Sequence, residues 1–173
     1  GDRPAGNVTW LDALEYVTWL GSKAAADAPC DDYRLPTAAE WTAAALYSTA
    51  GPVAWASAVA DGQPVCWGCG AGDDGTAALR VASAPANASG LYDMLGNLWE
   101  WVADGADPSA PACDLTALRQ SGRCTPGRVM GGSYATRAEA LPAIAAGGTA
   151  PRTDNARPWS SPTLGLRVAC DLK

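Results

Sequence analysis

Two helix-start signals stand near the front of this chain. Thr9 precedes an apolar run with Asp12 three residues on, and Trp10, Leu14 and Val17 recur at helical spacing. A Thr hydroxyl and a carboxylate so placed satisfy each other's orphan backbone donors, which predicts a helix beginning after Thr9. Gly21 is the expected stop. Thr37-Ala38-Ala39-Glu40 repeats the arrangement, with Pro36 outside the cap and Trp41, Ala44 and Ala45 on one face. From Gly51 the period is lost. Residues 51–90, 104–127 and 140–163 are rich in Gly, Pro, Ala and Asp and read as irregular chain, while 98–102, 128–134 and 164–170 read as strands. Helices first and short strands between long loops is an α+β pattern with a small sheet. Loops of that length in a compact domain are functional or pinned by cross-links.

The 173 residues fit one domain, expected over 1–173. Hydrophobic residues at 48% and charged ones at 17% exclude a disordered chain and a coiled coil. No apolar run is long enough to span a bilayer, so no membrane insertion is expected. The net charge of −6 denies the cationic surface that a phosphate backbone requires, so nucleic acid is not an expected partner. Histidine is absent, which removes Ser–His–Asp triads, Cys–His dyads, imidazole zinc sites and the facial iron triad. Phenylalanine is absent too, so aromatic burial rests on eight Trp and five Tyr. Six cysteines, several in loop-like sequence, point to an oxidising, extracytoplasmic compartment. The chain opens Gly1-Asp2-Arg3-Pro4 without a signal peptide, which reads as a processed form or an excised domain.

Four stretches, in order and at matching spacing, resemble the family of formylglycine-generating enzymes, also called sulfatase-modifying factors. They are Tyr33-Arg34-Leu35-Pro36-Thr37-Ala38-Ala39-Glu40-Trp41, Gly90-Leu91-Tyr92-Asp93-Met94-Leu95-Gly96-Asn97-Leu98-Trp99-Glu100-Trp101, Arg128-Val129-Met130-Gly131-Gly132-Ser133-Tyr134, and Leu164-Gly165-Leu166-Arg167. The opening Asn7-Val8-Thr9-Trp10 is similar to the lead-in of the family's first helix. The resemblance implies a C-type-lectin-like fold of that subtype: two helices, a small twisted antiparallel sheet and much irregular chain. It also implies a minimal form without the family's N-terminal extension. Members include copper enzymes that oxidise a sulfatase cysteine, iron enzymes that form sulfoxides, and ligand-display proteins diversified by retroelements. Fold alone does not choose among them.

The copper enzymes carry two cysteines after the Gly-Gly-Ser motif at i, i+5, soft donors suited to Cu(I). The matching positions are Thr136 and Leu141, which supply no thiolate, and the sulfoxide synthases need three histidines. The resemblance therefore implies neither copper nor iron here, and no catalytic residue is assigned. The family's substrate-pocket serine and tryptophan match Ser133 and Trp99. For calcium, the resemblance implies a side-chain ligand at Asp93, carbonyls at Gly96 and Leu98, and a carboxylate at Glu100. Hard oxygens around a glycine turn suit Ca²⁺. Read without the family, the same residues make an ordinary Gly96-Asn97 turn between solvated acids.

Six cysteines admit fifteen pairings. Some family members link a cysteine just ahead of the Arg-Leu-Pro-Thr motif to one just after the last strand, and Cys30 and Cys170, each displaced by two residues from those places, are the pair this implies. Closing so long a loop stabilises by about 5 kcal/mol through chain entropy. Cys113 and Cys124, close in sequence, form the natural second pair. That leaves Cys66-Trp67-Gly68-Cys69, open to a disulfide, a redox dithiol or half a zinc site, with a structural disulfide the expected state. The display relatives build their variable face between the Gly-Gly-Ser motif and the last strand. Here that stretch, 135–163, holds Arg137, Arg152, Asn155, Arg157 and Trp159, residue types that anchor interfaces. The sequence thus leads to a non-catalytic, calcium-stabilised, disulfide-linked module that binds a protein or small-molecule ligand. The alternatives are a divergent enzyme of the same family and a diversified display protein.

Overall fold

The computed structural model describes residues 1–25, 27–47, 64–70, 74–105, 127–147 and 160–173. Its elements in chain order are α1 (Trp10–Lys23), β1 (Cys30–Arg34), α2 (Ala38–Ala45), β2 (Trp99–Gly105), β3 (Gly127–Met130), α3 (Leu141–Gly147), β4 (Leu164–Leu166) and β5 (Ala169–Leu172).

Both expected capping boxes form. Thr9 Oγ1 accepts from the Asp12 N–H at 3.1 Å while the Asp12 carboxylate accepts from the Thr9 N–H at 2.9 Å. Thr37 and Glu40 exchange the same pair of bonds at 3.2 and 2.8 Å. The Asp104 carboxylate adds a bond from the Ala38 N–H, placing negative charge at the positive end of α2. Gly21 does not stop α1; the helix runs two residues further and ends at Ala24. On an exposed surface glycine is tolerated within the last turn.

The small sheet is present in two pieces. β2 lies at the centre of a three-stranded sheet, antiparallel to β3 and parallel to β4, so this sheet is mixed rather than purely antiparallel. β1 and β5 make a separate antiparallel pair. The expected 128–134 strand ends at Met130 because Gly131 and Gly132 adopt φ of +95° and +79°, which turns the chain out of the sheet. The expected 164–170 strand is broken into β4 and β5. Helix α3, within sequence read as irregular, and strand β1, in a stretch assigned no element from sequence, are further additions.

Alternation along β2 splits the core. Trp101 joins Trp10, Ala13, Val17, Leu35, Val129 and Leu164 on one face, while Val102 joins Trp41, Ala45, Met94, Leu95, Met130, Leu141 and Cys66 on the other. Three buried indoles do the work of the missing phenylalanines, and each finds an acceptor. Trp10 Nε1 donates to the Val102 carbonyl at 3.3 Å, Trp101 Nε1 to the Val8 carbonyl at 2.8 Å, and Trp41 Nε1 to Glu100 at 2.7 Å. No described helix is long and apolar enough to cross a membrane.

Candidate functional site

The Gly90–Trp101 motif curls because four of its residues, Gly90 among them with φ of +75°, take left-handed backbone. Asp93, Gly96 and Asn97 have φ of +54°, +82° and +57°. Gly96 is obligatory on a second count: a Cβ there would run into the Val65 carbonyl. Asn97 stays buried in this conformation, its side-chain oxygen accepting from the Leu79 N–H at 3.1 Å. The curl delivers Asp93 and Leu98 to the wall of a cavity of about 390 Å³, together with Tyr92, Glu100, Leu166 and Arg167.

Charge in this cavity is unevenly settled. Arg167 grips Glu100 side-on, Nε to Oε2 at 2.9 Å and Nη2 to Oε1 at 2.8 Å, and Trp41 Nε1 also reaches Oε2. The Glu100 side chain is only 10% exposed. Burial pulls the Arg167 guanidinium down, but Glu100 and then Asp93 outweigh it and raise its pKa above the usual arginine value. Asp93 Oδ2 accepts from the Ala82 N–H at 2.8 Å, whereas Oδ1 is buried with no hydrogen-bond partner among the described residues. A buried carboxylate oxygen left unmatched is costly unless a cation or donor meets it. The set therefore fits a cation held chiefly at the Asp93 end, with the Glu100 end already neutralised by Arg167. Among the described residues no cluster of three or more acids or cysteines exists that could hold a metal by side chains alone. A bound Ca²⁺ would thus depend on backbone carbonyls; Leu98 lines the cavity, and Gly96 is not among its lining residues.

The second region follows the two glycines. Ser133, 2% exposed, begins a tight turn in which its carbonyl accepts from the Thr136 N–H at 2.9 Å and its N–H donates to Thr136 Oγ1 at 3.0 Å. Thr136 is itself buried, and Leu141 is fully buried at the start of α3 against Gly132. Arg137 turns outward, its guanidinium 4.3 Å above the centre of the Trp67 ring. Trp99 packs against the Trp101 cluster, on the other face of β2 from the Trp41 cluster that contains Leu141, so it does not share the packing beside the Ser133 turn.

Cys30 and Cys170 are bridged with Cα atoms 5.5 Å apart, and Cys66 and Cys69 with Cα atoms 5.2 Å apart. Cys113, Cys124, Arg152, Asn155, Arg157 and Trp159 lie outside the described residues. The sequence does not mark Arg167 as a site residue, and it leaves Trp67 open between extending the binding face and replacing a missing phenylalanine in the core. The first ends a recognisable motif but reaches Glu100 across 67 residues, and the second is one of eight tryptophans without a distinguishing neighbour pattern.

Comparison with known proteins bears on the family and the fold. Residues 1–172 match the sulfatase-modifying factor enzyme 1-like domain. The chain belongs to that family. It is 31% identical over 183 aligned residues to a formylglycine-generating enzyme of Streptomyces coelicolor, covering 98% of this chain and 53% of the relative. It is 33% identical over 127 residues to the inactive C-alpha-formylglycine-generating enzyme 2 of Mus musculus, covering 68% of this chain and 37% of the relative. PvdO from Pseudomonas aeruginosa shares the fold with a TM-score of 0.67 at 25% identity, over 99% of this chain and 63% of that one. The chain thus spans about half, or less, of the length of these curated relatives.

Proposed function

We propose that this domain is a non-catalytic, extracytoplasmic binding module on a formylglycine-generating-enzyme scaffold. The reading rests on the family resemblance, which matches Thr136 and Leu141 to the positions where the copper enzymes hold thiolates. Neither side chain can ligate Cu(I): one is a hydroxyl engaged with Ser133 and the other a fully buried alkyl group. The binding face comprises Ser133 and Arg137 with Arg152, Asn155, Arg157 and Trp159, and its partner is a protein or a small molecule. Ca²⁺ binds chiefly at Asp93, with the carbonyls of Gly96 and Leu98, beside the Glu100 that Arg167 already holds; the Asp93 oxygen without a partner among the described residues supports it. Two bridged cysteine pairs support the extracytoplasmic setting.

Oxygen uptake by the copper-treated chain with a cysteine-containing sulfatase peptide tests the reading. Uptake equal to the peptide-free control is expected, and copper-dependent turnover would overturn it. A second reading, a divergent oxidase acting near Ser133 and Trp99, is favoured by the near-complete alignment with the Streptomyces coelicolor enzyme. The same assay separates the two.

A further inference from the structure

We propose that the Cys66–Cys69 disulfide is a thiol-exchange site, attacked at Cys69 by small thiols, and that its opening releases the 136–138 segment which the Cys66–Cys69 loop holds in place. The two sulfurs are not equivalent. Cys66 is fully buried among Trp41, Met94, Met130 and Leu141, whereas Cys69 is partly exposed beside Gly68 and Gly70, both exposed. Which sulfur is attacked depends on access, so a solvent thiolate meets Cys69.

The exchange balances with two thiols. The first thiolate bonds to Cys69 Sγ, the Cys66–Cys69 bond breaks, and Cys66 leaves with the electron pair and takes a proton. Its apolar surroundings favour the neutral thiol. A second thiolate attacks the external sulfur of the mixed disulfide and releases Cys69 as a thiolate. The two small thiols leave oxidised as their disulfide and the protein pair is reduced.

What the closed loop holds is specific. The Trp67 N–H donates to the Thr136 carbonyl at 2.9 Å, and the Ala138 N–H donates to the Trp67 carbonyl at 3.0 Å. On the other side the Val65 carbonyl accepts from the Asn97 N–H at 2.7 Å. Residues 65–67 are therefore wedged between the Gly96–Asn97 turn and the segment after Ser133. Both contacts are isolated bridges, with no ladder of neighbouring strand bonds to keep them once the loop is free. Trp67 is 45% exposed, so ring burial alone holds it weakly. Any effect on binding rests on the proposed ligand face; the exchange site does not.

Reduced glutathione, added to the native chain, tests the proposal. Peptide mapping is expected to find the 66/69 pair opened, and a Cys66→Ala variant treated with oxidised glutathione to carry a stable mixed disulfide at Cys69. Amide hydrogen exchange at Trp67 and Ala138 should rise by about tenfold or more, while Trp101 and Val129 in the sheet stay unchanged and report that the fold is intact. The double variant Cys66→Ala, Cys69→Ala should reproduce that rise without reductant. A pair that resists glutathione, or a folded double variant with unchanged exchange at Trp67 and Ala138, would overturn it. None of these readouts needs a ligand, so failure of the binding-module reading leaves them interpretable.

Discussion

Glu100 shows why single residues here carry more than one job. It sits in the motif that implies a calcium ligand, yet its carboxylate anchors the Arg167 guanidinium and the Trp41 indole. Glu100→Ala strands a buried cation and a buried donor, and should lower stability by about 3–5 kcal/mol in urea unfolding. That variant is therefore a poor probe of the ion. Asp93→Ala is the clean one: the heat of Ca²⁺ binding should disappear in calorimetry while unfolding shifts far less than in Glu100→Ala. Calcium binding unchanged in Asp93→Ala would remove the proposed ligand. The acids at 93 and 100 are legible in the sequence because they flank a glycine turn. Arg167 as their counter-charge is not, because only the parallel pairing of β2 with β4 carries the end of that motif to Glu100.

At the scale of elements, a local signal made an element readable and a distant partner hid it. α1 and α2 announce themselves through Thr9 with Asp12 and Thr37 with Glu40, bonds made within one turn. β1 does not. Its sequence, Cys-Asp-Asp-Tyr-Arg, has no apolar alternation, and it is a strand because β5 lies beside it from the far end of the chain. Arg34 fastens that pair to α2, bonding Glu40 at 2.7 Å and Asp171 at 2.7 Å. Hydrogen bonding from Arg34, then from the Thr37 backbone, lowers the Glu40 pKa from 4.5 to about 2. A depressed acid contributes stability above its unfolded pKa and loses it as pH falls through the folded value. Melting temperature should therefore drop between about pH 4.5 and about pH 2, and the Arg34→Ala variant should show a shallower drop over the same window. Identical profiles would mean that the cluster does not couple β1, α2 and β5.

Across the whole molecule, much of the architecture follows from one division. β2 carries Trp101 to one core and Val102 to the other, and the Cys30–Cys170 bridge, between residues 140 apart in sequence, ties β1 to β5. Replacing both cysteines by alanine should cost about 2–5 kcal/mol, read as a lower unfolding midpoint. No change in midpoint would show that the bridge adds nothing to the pairing of β1 with β5. The family and its α+β plan could be read from four ordered motifs, because such motifs serve turns and caps that local chemistry imposes. The mixed strand order could not, since pairing across long irregular stretches leaves no mark on either strand. The central claim is that this scaffold keeps the turn after Gly132 but has no copper site there. Competitive titration with a Cu(I) chelator, the cysteines kept oxidised, is the most direct measurement. All copper should stay with the chelator, and Thr136→Cys combined with Leu141→Cys should draw it onto the protein once the two new thiols are reduced. Stoichiometric copper retained by the oxidised native chain would contradict the claim.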